Sequence, residues 1–191
     1  MGEIEVKARI ENCDTVCELL IKAGYSVSDP VTQHDRVFGL PGIAGDDDNH
    51  QPWLRLRTEK KDGNVRYIFT LKKSVTNQLD SIEHETDIAD PDELLRIFTH
   101  IGYEPYSDVT KTRRKSKIGD IELCIDVVDT LGHFIEAEKL TTEDADYTEV
   151  EAELWATLNI VGVTAVDQIT DGYDVLMRHV VDSDLNGSVS S

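Results

Sequence analysis

Cysteine, proline and aromatic residues are scarce in this chain of 191 residues. It contains 3 cysteines and 5 prolines, and aromatic side chains make up 6% of it. Three cysteines are too few for a disulfide framework, so Cys13, Cys17 and Cys124 are expected to be free thiols in a reducing, cytoplasmic compartment. Cys13 and Cys17 stand four residues apart on a predicted helix, and we expect them to pack as small buried hydrophobic groups.

Positively charged residues are also scarce. Lys and Arg number 19 against 38 Asp and Glu, which gives a net charge of −19. Such a surface repels nucleic acids and anionic membranes, so neither is expected as a partner. No apolar run approaches the roughly 18 residues of a membrane span, and the chain opens on a charged strand pattern rather than a signal peptide. The acidity is consistent with simple solubility or with a halophilic cytoplasm.

Several familiar catalytic patterns are also missing. The six histidines are scattered singly, without zinc-like spacing. There is no Gly-x-x-x-x-Gly-Lys-Ser/Thr phosphate-binding loop and no readable Ser-His-Asp arrangement. The length predicts one domain, over residues 1–182, followed by a flexible tail at 183–191.

Hydrophobic periodicity predicts a mostly β protein of the α+β class. Residues 3–10 alternate charged and apolar side chains, which is typical of a strand with one apolar face. Further strands are predicted at 53–58, 65–73, 81–88, 106–117, 120–128 and 133–140. Helices are predicted from Asn12 or Asp14 to Lys22 and over 91–101, 147–161 and 165–180, with a loop over 39–52. Many short strands at this spacing indicate a barrel or a sandwich.

The basic residues are concentrated rather than dispersed. Twelve of the 19 lie in residues 53–73 and 111–117. Strand alternation puts like charges on one face, and the pairs are Glu3 with Glu5, Arg55 with Arg57, Glu83 with Glu85, Lys111 with Arg113, and Glu136 with Glu138. These faces are either solvent-exposed or the charged interior of a ligand-binding barrel. A charged interior would suit a polyanion held by Arg and Lys and a hard divalent cation held by carboxylates.

The same residues resemble the CYTH family, which includes class IV adenylate cyclases, thiamine triphosphatases and inorganic triphosphatases. The family's opening Glu-x-Glu-x-Lys stands here as Glu3-Ile4-Glu5-Val6-Lys7. Later matches are Leu54-Arg55-Leu56-Arg57, Thr70-Leu71-Lys72, Glu83-His84-Glu85, Lys111-Thr112-Arg113-Arg114, Asp126-Val127-Val128, the closing Leu131-Gly132-His133-Phe134-Ile135-Glu136-Ala137-Glu138, and Asp171-Gly172-Tyr173-Asp174-Val175-Leu176.

The resemblance implies an eight-stranded antiparallel β-barrel, the triphosphate tunnel, with flanking helices. It also implies dependence on Mg²⁺ or Mn²⁺. The metal ligands carried over are Glu3, Glu5, Glu136 and Glu138, and the phosphate-binding residues are Lys7, Arg55, Arg57, Lys72, Lys111 and Arg113. Catalysis would rest on Glu3, Glu5, Lys7 and Glu138, whereas Glu83, Glu85 and Asp126 have less certain roles and could orient the basic side chains.

The resemblance leaves the activity open. Adenylate cyclase is favoured, because the closing signature is typical of that branch and because His34, followed by Phe38, occupies a matching region as a candidate substrate contact. A triphosphatase is the alternative, and a non-catalytic triphosphate-binding module is the third. The loop at 39–52 is expected either to cover the tunnel as a lid or to recognise a base, and a homodimer is a further expectation. Trp53 and Trp155 are predicted core residues.

Overall fold

Eight antiparallel strands close into a barrel in the computed structural model, which describes residues 2–42, 51–77, 80–142 and 145–187. The strands are β1 (Gly2–Arg9), β2 (Val31–Gly39), β3 (Trp53–Lys61), β4 (Asn64–Asn77), β5 (Asp80–Asp87), β6 (Glu104–Ile118), β7 (Ile121–Val128) and β8 (Gly132–Thr141). Their order around the barrel is β1-β5-β4-β3-β2-β6-β7-β8. The predicted fold class is therefore confirmed.

The described residues form four α-helices, which flank the barrel: α1 (Cys13–Lys22), α2 (Pro91–His100), α3 (Tyr147–Leu158) and α4 (Tyr173–Gly187). A side-chain cap begins each of the first three. Asn12, Asp90 and Asp146 accept hydrogen bonds from backbone N–H groups of the first turn, which have no partner within the helix. The Asp90-Pro91 start predicted for α2 is confirmed.

The apolar face of the strands points outward, toward the helices. On β1, Ile4, Val6 and Ala8 are buried in a cluster with residues of α1 and α3, such as Leu20 and Leu154. Because successive strand residues point to opposite faces, the charged residues of β1 point into the barrel. Much of the hydrophobic core thus lies between the barrel and its helices, and most of the side chains that face the interior are polar.

Helix α2 covers the outer face of β2, β3 and β4 in the same way. Phe98 is 2% exposed and packs its ring against Phe38 at 5.1 Å and Phe69 at 5.6 Å between centroids. Leu54 and Leu56 join this cluster from β3. Arg55 and Arg57, which alternate with those leucines, consequently face the interior.

A tight turn joins β3 to β4, where a hairpin was predicted around Lys61 to Asn64. Asp62 and Gly63 have φ of 49° and 79°, and two positive φ values are typical of the turns that match strand twist. The turn sets the register in which Arg55 lies opposite Thr70.

The predicted helix over 165–180 is wrong. Residues Ala165–Asp167 form a short 3₁₀ turn, and α4 begins only at Tyr173. The segment between them packs along β1 instead: Gln168 bridges to Ala8, the N–H of Ile169 donates to the carbonyl of Lys7 at 2.8 Å, and Lys7 Nζ donates to the carbonyl of Asp171 at 3.4 Å. These tertiary hydrogen bonds replace those that a continuous helix would make.

Other expectations have mixed outcomes. The three cysteines are free and buried, as predicted. Helix α4 continues to Gly187, so part of the expected tail is helical, and 188–191 lie outside the described residues. Residues 43–50 of the expected lid also lie outside them. Among the described residues, no helix combines the length and apolar character needed to cross a membrane.

Candidate functional site

The interior of the barrel is a charged cavity of about 310 Å³. Fourteen of its lining residues are Glu3, Glu5, Lys7, Asp35, Arg55, Arg57, Lys72, Glu83, Glu85, Lys111, Arg113, Lys115, Glu136 and Glu138. All the residues predicted to bind metal or phosphate are among them. Asp126, which lies on β7, is fully buried and contacts two of these basic residues, Lys111 and Arg113. Of the site residues named from the sequence, only His34 lies elsewhere.

His34 is on the outer face of β2. Its Nε2 is 2.7 Å from Asp108 Oδ1, and its side chain is 39% exposed. Alternation along β2 turns its neighbours Gln33 and Asp35 inward, where they are 3% and 5% exposed. The role of His34 as a substrate contact is therefore not supported, and Asp35 is the inward residue that the sequence interpretation missed.

Asp35 anchors one group of cations. Arg57 donates to both of its carboxylate oxygens, at 2.6 and 2.8 Å, and Lys111 Nζ lies 3.7 Å from Oδ2. Burial alone would raise the pKa of Asp35, but Arg57 and Lys111 outweigh it and hold that pKa well below its usual range. The carboxylate therefore remains ionised and holds both cations in the cavity wall.

Asp126 and Glu136 anchor a second group. Arg113 donates to Asp126 at 2.8 and 2.5 Å and to Glu136 at 2.5 Å. Lys7 Nζ lies 3.3 Å from Glu136 and also 3.3 Å from Glu5. Glu136 is thus surrounded by cations, which hold its pKa well below its usual range despite burial. This geometry gives Glu136 a role in positioning Lys7 and Arg113, and its predicted role as a metal ligand stays untested.

A third group lies on β3, β4 and β5. Lys72 Nζ is 3.0 Å from Glu83, and Arg55 lies 3.9 Å from Glu83 and 3.7 Å from Glu85. Arg55 also donates to Thr70 at 3.1 Å. These side chains are more exposed than the first two groups, so Glu83 and Glu85 orient the basic residues at the accessible part of the cavity.

Lys111 differs from the other lysines of the cavity. Burial, helped by the neighbouring Arg113, lowers its pKa to about 8. Burial acts in the same direction on Lys7 and Lys72, but the carboxylates around them outweigh it and raise their pKa values. Lys111 is therefore the lysine of the cavity whose charge changes nearest to neutral pH.

A carboxylate cluster lies beside the cations. One carboxylate oxygen from each of Glu3, Glu5 and Glu138 lies within 4.8 Å of the other two. Burial and the charges of Glu83 and Glu5 raise the pKa of Glu3 to about 7, and burial together with Glu3 raises that of Glu138 to about 9. Three neighbouring carboxylates, of which Glu5 is buried and the other two are partly buried, are all oxygen donors and fit a hard divalent cation such as Mg²⁺ or Mn²⁺.

Part of the lining is apolar and aromatic. Val37, Trp53 and Val109 line the cavity together with Tyr173 and Val175 from the start of α4. Trp53, predicted to be a core residue, instead faces the cavity and packs against Tyr106 at 4.6 Å. A Cβ on Gly39 would lie 2.4 Å from the Trp53 ring, so only glycine allows the indole this position.

Tyr173 brings α4 into the cavity. Its ring lies 4.6 Å from Lys7 Nζ and 4.9 Å from Lys111 Nζ, and its edge contacts Phe134 at 5.1 Å between centroids. Its buried hydroxyl has no hydrogen-bond partner among the described residues. The sequence interpretation noted this tyrosine only as part of a matching motif, because no periodic signal shows that α4 enters the barrel.

A closed barrel with paired basic residues and clustered carboxylates in its interior defines a class of polyanion-binding tunnel proteins. The CYTH domain model matches residues 1–173, so the chain belongs to the CYTH family. A protein of Methanocaldococcus jannaschii named "putative adenylate cyclase" is 29% identical over 175 residues, which cover 91% of this chain and 97% of that protein.

Solved structures share the fold. The PH1819 protein of Pyrococcus horikoshii OT3 superposes with a TM-score of 0.78 at 23% identity, over 94% of this chain and 99% of that chain. A Hippeastrum protein described as a "putative adenylyl cyclase" with "a dominant" triphosphatase activity gives a TM-score of 0.54 at 19% identity, over 85% and 89% of the two chains. At these identities the likeness concerns the fold alone.

Binding of inorganic triphosphate without metal is expected to weaken as pH rises above about 8, the pKa of Lys111. Below that pH the ammonium is already charged. Above it, anion binding must take up a proton, so the affinity falls. In Lys111→Arg the guanidinium stays charged, so the fall should become smaller, and the part that remains reflects the ionisation of Glu3 and Glu138 in the same cavity.

The measurement is calorimetric titration at several pH values between about 7 and about 10. The exposed Lys117→Arg is the matched control and should behave as the unmodified protein does. The ligand's own titration is common to all three proteins and cancels in the comparison. An identical pH dependence in Lys111→Arg would show that Lys111 does not contact the anion.

Proposed function

We propose that this protein is a metal-dependent enzyme acting on an organic triphosphate, and that the reaction is the conversion of ATP to cyclic AMP and pyrophosphate. The observation that carries the proposal is the juxtaposition, in one buried cavity, of seven basic side chains with the Glu3, Glu5 and Glu138 cluster. The first set suits the phosphates and the second suits a divalent cation bound to them.

The basic residues would hold the phosphate chain. Lys7, Arg57, Lys111 and Arg113 are each 8% exposed or less and are held by carboxylates at 2.5 to 3.7 Å. Preorganised charges of this kind stabilise developing charge without having to reorient during the reaction. The more exposed Arg55 and Lys72 would contact the part of the chain nearest to the accessible side.

Glu3, Glu5 and Glu138 would hold Mg²⁺ or Mn²⁺, with Glu136 as a further candidate ligand. The cation, when bound, would act as a Lewis acid on a phosphoryl oxygen. Its binding would also relieve the repulsion among the three carboxylates and displace the protons that the raised pKa values of Glu3 and Glu138 retain.

In the proposed cyclisation the 3′-oxygen of ATP forms a bond to the α-phosphorus and the bond to the bridging oxygen of pyrophosphate breaks. The proton of the hydroxyl is released to solvent, and negative charge grows on the departing pyrophosphate. The role of the basic side chains is to stabilise that leaving group in place.

The apolar side of the cavity supports an organic rather than an inorganic substrate. Inorganic triphosphate has no group for Trp53, Val37, Val109 and Val175 to bind, whereas a nucleobase has an aromatic face for the indole. The same feature is compatible with another aromatic organic triphosphate, such as thiamine triphosphate.

A triphosphatase is the second candidate, and the Hippeastrum protein with its dominant triphosphatase activity favours keeping it. Water would then attack the terminal phosphorus within the same electrostatic environment. A purely binding module is less well supported, because such a module would need the cations but not the cluster of Glu3, Glu5 and Glu138.

Product analysis tests the proposal directly. Purified protein is incubated with ATP, inorganic triphosphate or thiamine triphosphate, each with Mg²⁺ or Mn²⁺, and the products are separated by chromatography. Cyclic AMP and pyrophosphate in equal amounts are the expected result. Free phosphate without cyclic nucleotide would overturn the cyclase proposal in favour of a triphosphatase. Tight binding of a triphosphate without turnover would favour the non-catalytic binding module.

Glu5→Gln is expected to abolish metal-dependent turnover while the fold is retained, because the amide keeps the shape of the side chain but removes a charged ligand from the cluster. Turnover is measured against Mn²⁺ concentration, and folding by circular dichroism. Glu93→Gln, which alters an exposed carboxylate paired with Arg96 on α2, is the control. Unchanged metal dependence in Glu5→Gln would remove Glu5 from the metal site.

Trp53→Ala is expected to lower kcat/KM for ATP by about tenfold or more, on the scale of one lost base-stacking contact. Activity or binding with inorganic triphosphate should change by less than about twofold, since that ligand has no ring to stack. The ratio of the two measurements in one variant is its own control for misfolding. Equal losses with both ligands would show that Trp53 supports the cavity instead of binding the organic group.

A further inference from the structure

A buried thiol lies close to Glu138, which is a member of the carboxylate cluster. Glu122 and Cys124 are two residues apart on β7 and therefore share its inner face. Glu138 on β8 is directly opposite Glu122 in the register. The Sγ of Cys124 and one carboxylate oxygen from each glutamate all lie within 4.8 Å of one another. Glu138 thus belongs to two groups of potential metal ligands.

Cys124 is not placed as an ordinary core cysteine. It is 0% exposed, and its thiol has no hydrogen-bond partner among the residues that the structure describes. Its register neighbours on the adjacent strands are Lys115 and Glu136, both of which line the cavity. Cys13, by contrast, donates to the carbonyl of Asp126 at 3.2 Å within the outer apolar core. An unpartnered thiol among interior charges is an available ligand.

We propose that Glu122, Cys124 and Glu138 form a binding site for a thiophilic divalent cation of the Zn²⁺ class, distinct from the all-oxygen Mg²⁺ or Mn²⁺ cluster. Three protein ligands with a fourth position left for water or another small ligand are a common arrangement for zinc. Thiolate selects Zn²⁺ or Cd²⁺ over Mg²⁺, which prefers oxygen ligands. The donor atoms need small rotamer adjustments to approach the zinc distances of about 2.3 Å for sulfur and about 2.0–2.2 Å for oxygen.

Charge and access are compatible with the site. Lys115, which ion-pairs with Glu122, is exposed and can turn away when a cation replaces it. Arg113 is already committed to Asp126 and Glu136. Glu138 and Lys115 line the main cavity, so a cation can enter by the same route as a substrate. Coordination replaces the thiol proton, which is released to solvent.

Sharing of Glu138 couples the two sites. A cation at the thiol site draws this carboxylate away from Glu3 and Glu5, and the two divalent cations repel each other across a short distance. Mg²⁺ and a thiophilic cation should therefore bind competitively. Glu138 therefore makes the affinity of the Glu3, Glu5 and Glu138 cluster for Mg²⁺ dependent on whether a thiophilic cation is bound beside Cys124.

The test is a titration of the metal-free, intact protein with Cd²⁺ in the absence of any triphosphate, followed by calorimetry and by the ultraviolet charge-transfer absorption of a Cd²⁺–thiolate bond. One equivalent of Cd²⁺ is expected to produce the band. Cys124→Ala should lose the band, and its Kd for Cd²⁺ should rise about tenfold or more, as for other losses in metal coordination. Cys17→Ala, which removes a buried thiol of the outer core, is the matched control and should retain both.

Two further measurements separate the three-ligand site from simple thiol binding. Glu122→Gln should also weaken Cd²⁺ binding by about tenfold while keeping the band, and excess Mg²⁺ should raise the apparent Kd for Cd²⁺. A band that survives in Cys124→Ala, or a Kd that neither Glu122→Gln nor Mg²⁺ changes, would overturn the proposal. Because no substrate is present, these results are independent of whether the protein is a cyclase, a triphosphatase or neither.

Discussion

Burial of paired charges is the constraint on which this structure depends. Removing an ion from water costs several kcal/mol, and the cost is recovered only where geometry and hydrogen bonding are good. The barrel meets this condition with two-oxygen contacts from Arg57 to Asp35 and from Arg113 to Asp126. Since these pairs occupy much of the interior, most of the apolar strand residues face outward. The helices α1, α2 and α3 are then required to cover them, so the polar site and the position of the hydrophobic core follow from the same alternation.

The interior is divided into regions of different electrostatic character. Around Asp35, Asp126 and Glu136 the cations have fixed partners, and the pKa values of Asp35 and Glu136 lie well below their usual range. Around Glu3 and Glu138 like charges meet without enough cations, and the pKa values rise to about 7 and about 9. The first region is preorganised before any ligand arrives. The second is completed by a bound cation, so a metal-bound polyphosphate would satisfy both regions at once.

The sequence was sufficient where the relevant residues are close along the chain. Alternation in β1 and the repeated pairs of like charges were compatible with solvent-exposed faces or with a charged barrel interior. The resemblance to the CYTH family selected the barrel and nearly all of its inward residues. Prediction from the sequence failed where residues that are neighbours in space are distant along the chain. Asp35 gains its role because β2 lies between β3 and β6, a position that no local pattern specifies. Trp53 was assigned to the core because hydrophobicity does not distinguish a cavity wall from a core. The helix predicted over 165–180 does not form before Tyr173, because hydrogen bonds between this segment and β1 override its local preference for helix.

Within the proposed function, the choice between cyclisation and hydrolysis becomes a question of where the phosphate chain lies along the tunnel. Both reactions use the same basic side chains and the same carboxylates, so these groups cannot select between them. What differs is which phosphorus stands beside Glu3, Glu5 and Glu138. That position is set at the other end of the substrate, where Trp53 and the start of α4 would hold the organic group. Specificity of reaction would then come from the apolar contacts rather than from the charged ones, since small displacements of bound substrate change reaction rates strongly.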